Sequence, residues 1–209
     1  MGSKSAKILL LGDGGVGKTS LVRRFVEQKF DDRYIATIGV NVKKKEIPDL
    51  DLKFLLWDIY GQKMNEDLHA SHYSGADGAV IVYDQTRYKT FTNLDNWVSD
   101  VFKITGDIPF VIIGNKFDLI EGYESSMYED IETYLKKEHK EMIDFYQDVY
   151  DKLPDFSRVS PEDLWNWAKE KKKEVGFDFP YYFTSAKTGE NVEEAFHSLG
   201  KILSKRDKK

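Results

Sequence analysis

The segment Gly12-Asp13-Gly14-Gly15-Val16-Gly17-Lys18-Thr19 constrains this chain more than any other. It follows an apolar run at 7–11 and opens a stretch of helical spacing at 18–27. Glycine carries no Cβ, so several backbone N–H groups can converge on one point. The N-terminus of the following helix adds positive potential at the same place. Together these features make a cradle for phosphate oxygens. The loop from Gly12 to Thr19 is therefore a candidate for phosphate binding. Lys18 is placed to reach β- and γ-phosphates, and the Thr19 hydroxyl to bind Mg²⁺. This pattern indicates a nucleoside triphosphate and leaves the base open.

The rest of the chain alternates in the same way. Apolar runs rich in Val, Ile and Leu at 7–11, 78–83 and 109–114 read as buried strands. Residues 40–47 and 52–58 read as a hairpin around Pro48-Asp49, and 181–184 as a last short strand. Helical spacing covers 18–27, 91–105, 161–175 and 191–204. Ser160 can cap one helix with Pro161 at its first position, and Asn191 the last, with Glu194 three residues on. Alternation of this kind implies an α/β sheet with helices on both faces and ligands at the carboxyl ends of the strands.

At 209 residues the chain is long enough for one domain, 1–209, with room for an insertion. It has no Cys, which excludes disulfides, thiolate metal sites, a Cys nucleophile and lipid attached to sulfur. The longest apolar runs are far short of a bilayer span, and no signal peptide is expected. The net charge is −5. Residues 120–156 alone hold 11 acidic and 4 basic residues, so the acidity is local. Within that stretch Ser126 and Glu129 form a capping box, and apolar positions spaced by three and four predict a long amphipathic helix over 126–152. The chain ends on a basic cluster, Lys201, Lys205, Arg206, Lys208 and Lys209, with a short tail at 204–209. Local acidity and the lack of a basic groove argue against nucleic acid as a partner. The four His show no metal-ligand spacing, and Trp165 and Trp167 on a helix read as packing.

Asn115-Lys116-Phe117-Asp118 follows the strand at 109–114. A carboxylate at Asp118 can accept from both guanine N1–H and the exocyclic amine, a donor pair adenine lacks. The Lys116 stem can lie along the base. Ser185-Ala186-Lys187, after the last strand, offers a backbone N–H to the base oxygen. Asp58 ends another strand and can hold Mg²⁺ through water. Gly61 can give its N–H to a γ-phosphate, and Gln62 can orient an attacking water. Thr37 is a candidate second Mg²⁺ ligand.

In this order, these elements resemble the Ras superfamily of small GTPases, and most closely its Rab branch. The likeness extends to 34–42, Leu55-Leu56-Trp57-Asp58, Tyr73-Ser74-Gly75-Ala76, Val80-Ile81-Val82-Tyr83-Asp84 and 184–196. It implies a phosphate-loop nucleoside triphosphatase fold with a mostly parallel six-stranded sheet, and a GTP/GDP switch with Mg²⁺. It further implies that Asp13, Gly14, Gly15, Val16, Gly17, Lys18, Thr19 and Ser20 bind the phosphates, that Phe30 packs on the base, that Tyr34 contacts nucleotide, and that Thr37 and Gly61 sense the γ-phosphate. Lys18, Thr37, Gly61 and Gln62 become the catalytic candidates. An exchange factor, a GTPase-activating protein and effectors are expected at segments 33–44 and 60–75, on a monomer.

The chain departs from that family in four places. Ile59-Tyr60 and Lys63 surround Gly61-Gln62, where the family carries Thr-Ala and Glu. Tyr60 could crowd Mg²⁺, shield the nucleotide, pack on the extra helix or point to solvent. A helical insertion at 120–157 separates Leu119 from Arg158, where the family needs only a few residues. Without Cys, the prenylation typical of Rabs is absent, so the expected location is the cytoplasm with at most weak peripheral contact with anionic lipid. No arginine finger is evident in cis, Arg33 being poorly spaced for one, so slow turnover is expected. The competing reading is a nucleotide-bound scaffold that uses the insertion to bind partners.

Overall fold

In a computed structural model, the structure describes residues 3–31, 37, 39–59, 66–120 and 158–206, with the side chains of 66–69 excepted. Tyr34, Tyr60, Gly61, Gln62, Lys63 and the helix expected at 126–152 lie outside the described residues.

Strand β1 (Lys4–Leu11) leads through the glycine-rich loop into helix α1 (Lys18–Glu27). Strands β2 (Val40–Ile47) and β3 (Leu52–Ile59) form the expected hairpin about Pro48–Leu50. Helix α2 (Glu66–Tyr73), strand β4 (Gly78–Asp84), helices α3 (Tyr88–Thr92) and α4 (Leu94–Thr105), and strand β5 (Phe110–Asn115) follow. Helix α5 (Pro161–Val175), strand β6 (Tyr181–Phe183) and helix α6 (Val192–Arg206) complete the described chain.

The six strands form one sheet in the order β2-β3-β1-β4-β5-β6. Only β2 and β3 pair antiparallel; every other pair is parallel. Every residue of β4 and of β5 is buried, as continuous apolar strands covered on both faces must be. Strand β2 is an edge and carries Lys43-Lys44-Lys45, charges that suit an unpaired edge. Alternate strand residues face opposite ways. Leu9, Leu11, Ile81, Tyr83, Phe110 and Ile112 pack in one core with α4 and α5. Ile8, Leu10, Val80, Val82, Val111 and Ile113 pack in the other with α1 and α6. The chain leaves β1 toward one edge and returns across it to β4. The direction of winding therefore reverses at β1, and the crevice for a ligand opens at its carboxyl end.

Several elements differ from the sequence reading: β1 begins at Lys4, α2 was not expected, and α6 runs to Arg206, so residues 204–206 of the expected tail are helical. The helix expected over 91–105 begins a turn earlier and divides at Asn93, whose Nδ2 donates to Asp13 Oδ2 at 2.7 Å. The break thus coincides with a contact 80 residues away in sequence. Asn191 is not a side-chain cap of the last helix. Its φ is +53°, and its Nδ2 donates to the Phe183 carbonyl at 3.0 Å, tying α6 to β6. Ser160, by contrast, closes a full capping box with Asp163, with Pro161 opening α5.

Helices α1 and α6 meet through a parallel stack of Phe25 on Phe196, with centroids 4.2 Å apart. Both rings are buried against the sheet. Phe196→Ala is expected to lower unfolding free energy by about 3–5 kcal/mol in a denaturant titration; a loss under about 1 kcal/mol would contradict this packing.

Candidate functional site

The glycine-rich loop takes its shape from its neighbours. Gly12 has φ +134°, and a Cβ there would lie 2.1 Å from the Val82 carbonyl oxygen. Gly17 has φ +98°, and a Cβ there would lie 2.2 Å from Asn115 Nδ2. Only glycine allows the backbone to pass that close. Lys18 then starts α1 and folds back over the loop, its Nζ donating to the carbonyls of Gly12 (2.7 Å) and Asp13 (2.9 Å). Burial pushes the Lys18 ammonium down to about 8, while Asp58 and Asp13 pull it up. An anion placed in the cradle would stabilise its charged form.

Three oxygen side chains meet beside Lys18. Thr19 Oγ1 donates to Asp58 Oδ2 at 2.6 Å and lies 2.7 Å from Thr37 Oγ1. Thr37 Oγ1 is 3.5 Å from the same Asp58 oxygen. The three residues come from α1, the end of β3 and the loop before β2. They are the residues expected to bind Mg²⁺. Asp58 is 1% exposed, and its Oδ1 has no hydrogen-bond partner among the described residues. Burial raises its pKa, against the hydrogen bond from Thr19 and the charge of Lys18. A buried carboxylate with an unmatched oxygen, beside two hydroxyls, fits a small hard cation that keeps waters and phosphate oxygens in its shell.

The base motif lies at the carboxyl end of β5. Asn115 is buried and acts as a tie: Nδ2 donates to the Val16 carbonyl (2.9 Å), and Oδ1 accepts from Thr184 Oγ1 (3.2 Å) and the Ala186 amide (3.1 Å). It joins the phosphate loop to the loop after β6. Lys116 has φ +68°, and its Nζ pairs with Asp84 Oδ2 at 2.7 Å. Asp118 Oδ1 accepts from Ser185 Oγ at 2.6 Å, while the residue stays exposed. The Ala186 amide is thus committed to Asn115, a use the sequence reading did not foresee. Phe30 packs at the edge of the core that holds α1, and with Arg23, Glu27, Lys29, Asp31 and Lys43 it lines an open charged cavity. Ser20 follows Thr19 in the first turn of α1 and is half-buried.

Several residues missed in the sequence complete the site. Asp13 Oδ1 accepts from Trp97 Nε1 at 2.9 Å, and its other oxygen accepts from Asn93. Asp84 is fully buried, and its carboxylate takes Arg87 Nε at 2.8 Å as well as Lys116. Burial alone would raise its pKa, but the hydrogen bonds from Lys116, Thr86 and Arg87 outweigh it and hold the carboxyl below its ordinary value. Arg24 on α1 donates to the carbonyls of Ala186 (2.8 Å) and Lys187, clamping the last loop. An acidic residue ending the apolar run at Asp84 was the one visible signal. The partners of Asp13 and Arg24 lie too far off in sequence to leave any.

Phosphate loop, oxygen cluster and base motif therefore share one end of the sheet, in the arrangement the sequence motifs imply. A family model for the Ras family matches residues 7–205. The chain is 36% identical over 203 residues to the Ras-related protein Rab7 of Pisum sativum, covering 93% of this chain and 80% of that protein. It is 34% identical to Rab7 of Drosophila melanogaster over 203 residues, covering 93% and 78%. Rab-7a of Dictyostelium discoideum is 33% identical over 202 residues, covering 93% and 80%. The chain belongs to the Ras family and is a Rab-like small GTPase, an enzyme that hydrolyses GTP.

Proposed function

We propose that this chain is a guanine-specific, Mg²⁺-dependent switch whose GTP and GDP states differ at segments 33–44 and 60–75. The observation that carries this reading is the meeting of Thr19, Thr37 and Asp58 oxygens beside Lys18, at the mouth of the glycine-rich loop. Thr37 belongs to the first of those segments, so a group that holds it here couples the phosphate site to a surface.

In this reading the loop amides from Asp13 to Ser20 bind the phosphates, and Lys18 stabilises the charge that develops as the γ-phosphoryl group transfers. Thr19, Thr37 and Asp58 would hold Mg²⁺, which neutralises phosphate charge when bound. Gln62 orients the attacking water, Gly61 donates to the γ-phosphate, and the reaction yields GDP and phosphate. Asp118 reads guanine, Lys116 lies along the base, and Phe30, Tyr34 and the 185–187 loop complete the pocket around it. Loss of the γ-phosphate releases Thr37 and Gly61, and the two segments change together.

Domain 1–209 acts as one monomeric unit, with the insertion at 120–157 and the basic stretch at 204–209 as additions to it. An exchange factor, an activating protein and effectors engage the two segments, and the Rab likeness points to vesicle traffic as the setting. Among the described residues no helix is long and apolar enough to cross a membrane.

Asp118→Asn places a donor opposite donors. It is expected to weaken GTP binding at least about 100-fold in a fluorescent-nucleotide titration, from two lost charge-assisted hydrogen bonds. Unchanged affinity would refute the guanine assignment. Chelation of Mg²⁺ by EDTA is expected to speed GDP release at least about tenfold, and Asp58→Ala to blunt that response. Equal release rates with and without chelator would contradict the metal assignment.

A further inference from the structure

Arg87 lies outside every motif that marks the site, in the turn between β4 and α3. Its place there is fixed from both sides. Its amide donates to the Asp84 carbonyl at 2.9 Å, and its own carbonyl accepts from the Thr90 amide (2.9 Å) and Thr90 Oγ1 (2.8 Å). Its guanidinium spans two parts of the site. Nε donates to Asp84 Oδ2 at 2.8 Å, and Nη2 donates to the Gly14 carbonyl at 3.0 Å. Asp84 is fully buried and is itself braced by Thr86 and Lys116, so the anchor of this bridge is rigid.

The far end of the bridge falls where the loop has the most freedom. Gly14 and Gly15 follow each other without side chains, and Gly15 sits at φ +75°. The peptide between them could turn over at little steric cost. In a trans peptide the carbonyl of one residue and the N–H of the next point in opposite directions. Holding the Gly14 carbonyl on Arg87 therefore aims the Gly15 N–H away from Arg87. One residue earlier, Asn93 and Trp97 hold the Asp13 carboxylate. The loop is thus gripped at two successive positions from the same side. The charge of Arg87 is also felt at Lys18, where it adds to the effect of burial.

We propose that Arg87 is a positioning residue for phosphate binding: through the Gly14 carbonyl it sets the direction of the Gly15 amide, and so favours nucleotides that carry more than one phosphate. This rests on the reading of the loop as the phosphate site.

The test compares the affinities of GDP and GMP, by calorimetry with Mg²⁺, for the wild-type protein, Arg87→Ala and Arg87→Lys. Arg87→Ala is expected to weaken GDP binding about tenfold, the worth of one charge-assisted hydrogen bond, and GMP binding by less than about twofold. Lysine keeps the charge but lacks the planar fork that reaches two acceptors. Arg87→Lys is therefore expected to stay close to Arg87→Ala. GDP affinity unchanged in Arg87→Ala, an equal loss for GDP and GMP, or full restoration in Arg87→Lys would each overturn the proposal and leave the phosphate-loop reading intact. Failure of the wild-type protein to bind GDP would overturn that reading and the proposal with it. Should Arg87→Ala not fold by circular dichroism, Arg87→Gln carries the same comparison.

Discussion

The approach of the glycine-rich backbone to its neighbours is the constraint on which the rest of the site depends. At Gly12 the loop passes so near the Val82 carbonyl, and at Gly17 so near the Asn115 amide, that a single added carbon would collide with either. This closeness places the loop directly over the carboxyl ends of β1, β4 and β5. The ends of those strands then supply Asp84 and Asn115, while β3 supplies Asp58. That placement brings Lys18, Thr19 and Asp58 side by side.

Buried charge organises the second half of the site. Asp84 has no contact with solvent, yet it carries a negative charge that two cations compensate, one from each side. Lys116 belongs to the base motif, and Arg87 reaches the phosphate loop. A buried carboxylate with both partners satisfied fixes geometry more firmly than it adds stability, because its desolvation cost offsets much of the attraction. Asn115 plays the neutral counterpart, joining Val16 to Thr184 and Ala186 by hydrogen bonds in a fully buried position. The glycine-rich loop and the Asn115–Asp118 segment are thus joined through buried side chains.

What was legible in the sequence follows the same division between local and distant causes. Strands of continuous Val, Ile and Leu, the glycine pattern and the Ser160 cap are local, and the structure places them as read. The candidate metal ligands were also legible, because each occurs within a recognisable segment and the resemblance orders the segments. The break at Asn93 was not, and its side chain there binds Asp13, a residue far off in sequence. Nor was the turning of Asn191 toward Phe183, which no capping preference encodes. The ties that Asn115 makes to Val16, Thr184 and Ala186 across the site left no signal in the sequence either. Arg24, Arg87 and Trp97 were invisible for one reason: each acts on a backbone or side chain that only folding brings near. Trp167 was rightly read as packing. It lies against Phe91 and Phe179 and donates to Asp95 on the neighbouring helix.

The central claim is that this pocket works as a hydrolytic switch and not as a permanent nucleotide holder. Single-turnover GTP hydrolysis by the purified protein with Mg²⁺, beside Gln62→Leu, tests it most directly. The account predicts slow turnover, about 10⁻⁴ to 10⁻³ s⁻¹ by analogy with Ras, and a lower rate in Gln62→Leu. Tight GTP binding with no hydrolysis over many hours would contradict it and favour a nucleotide-bound scaffold.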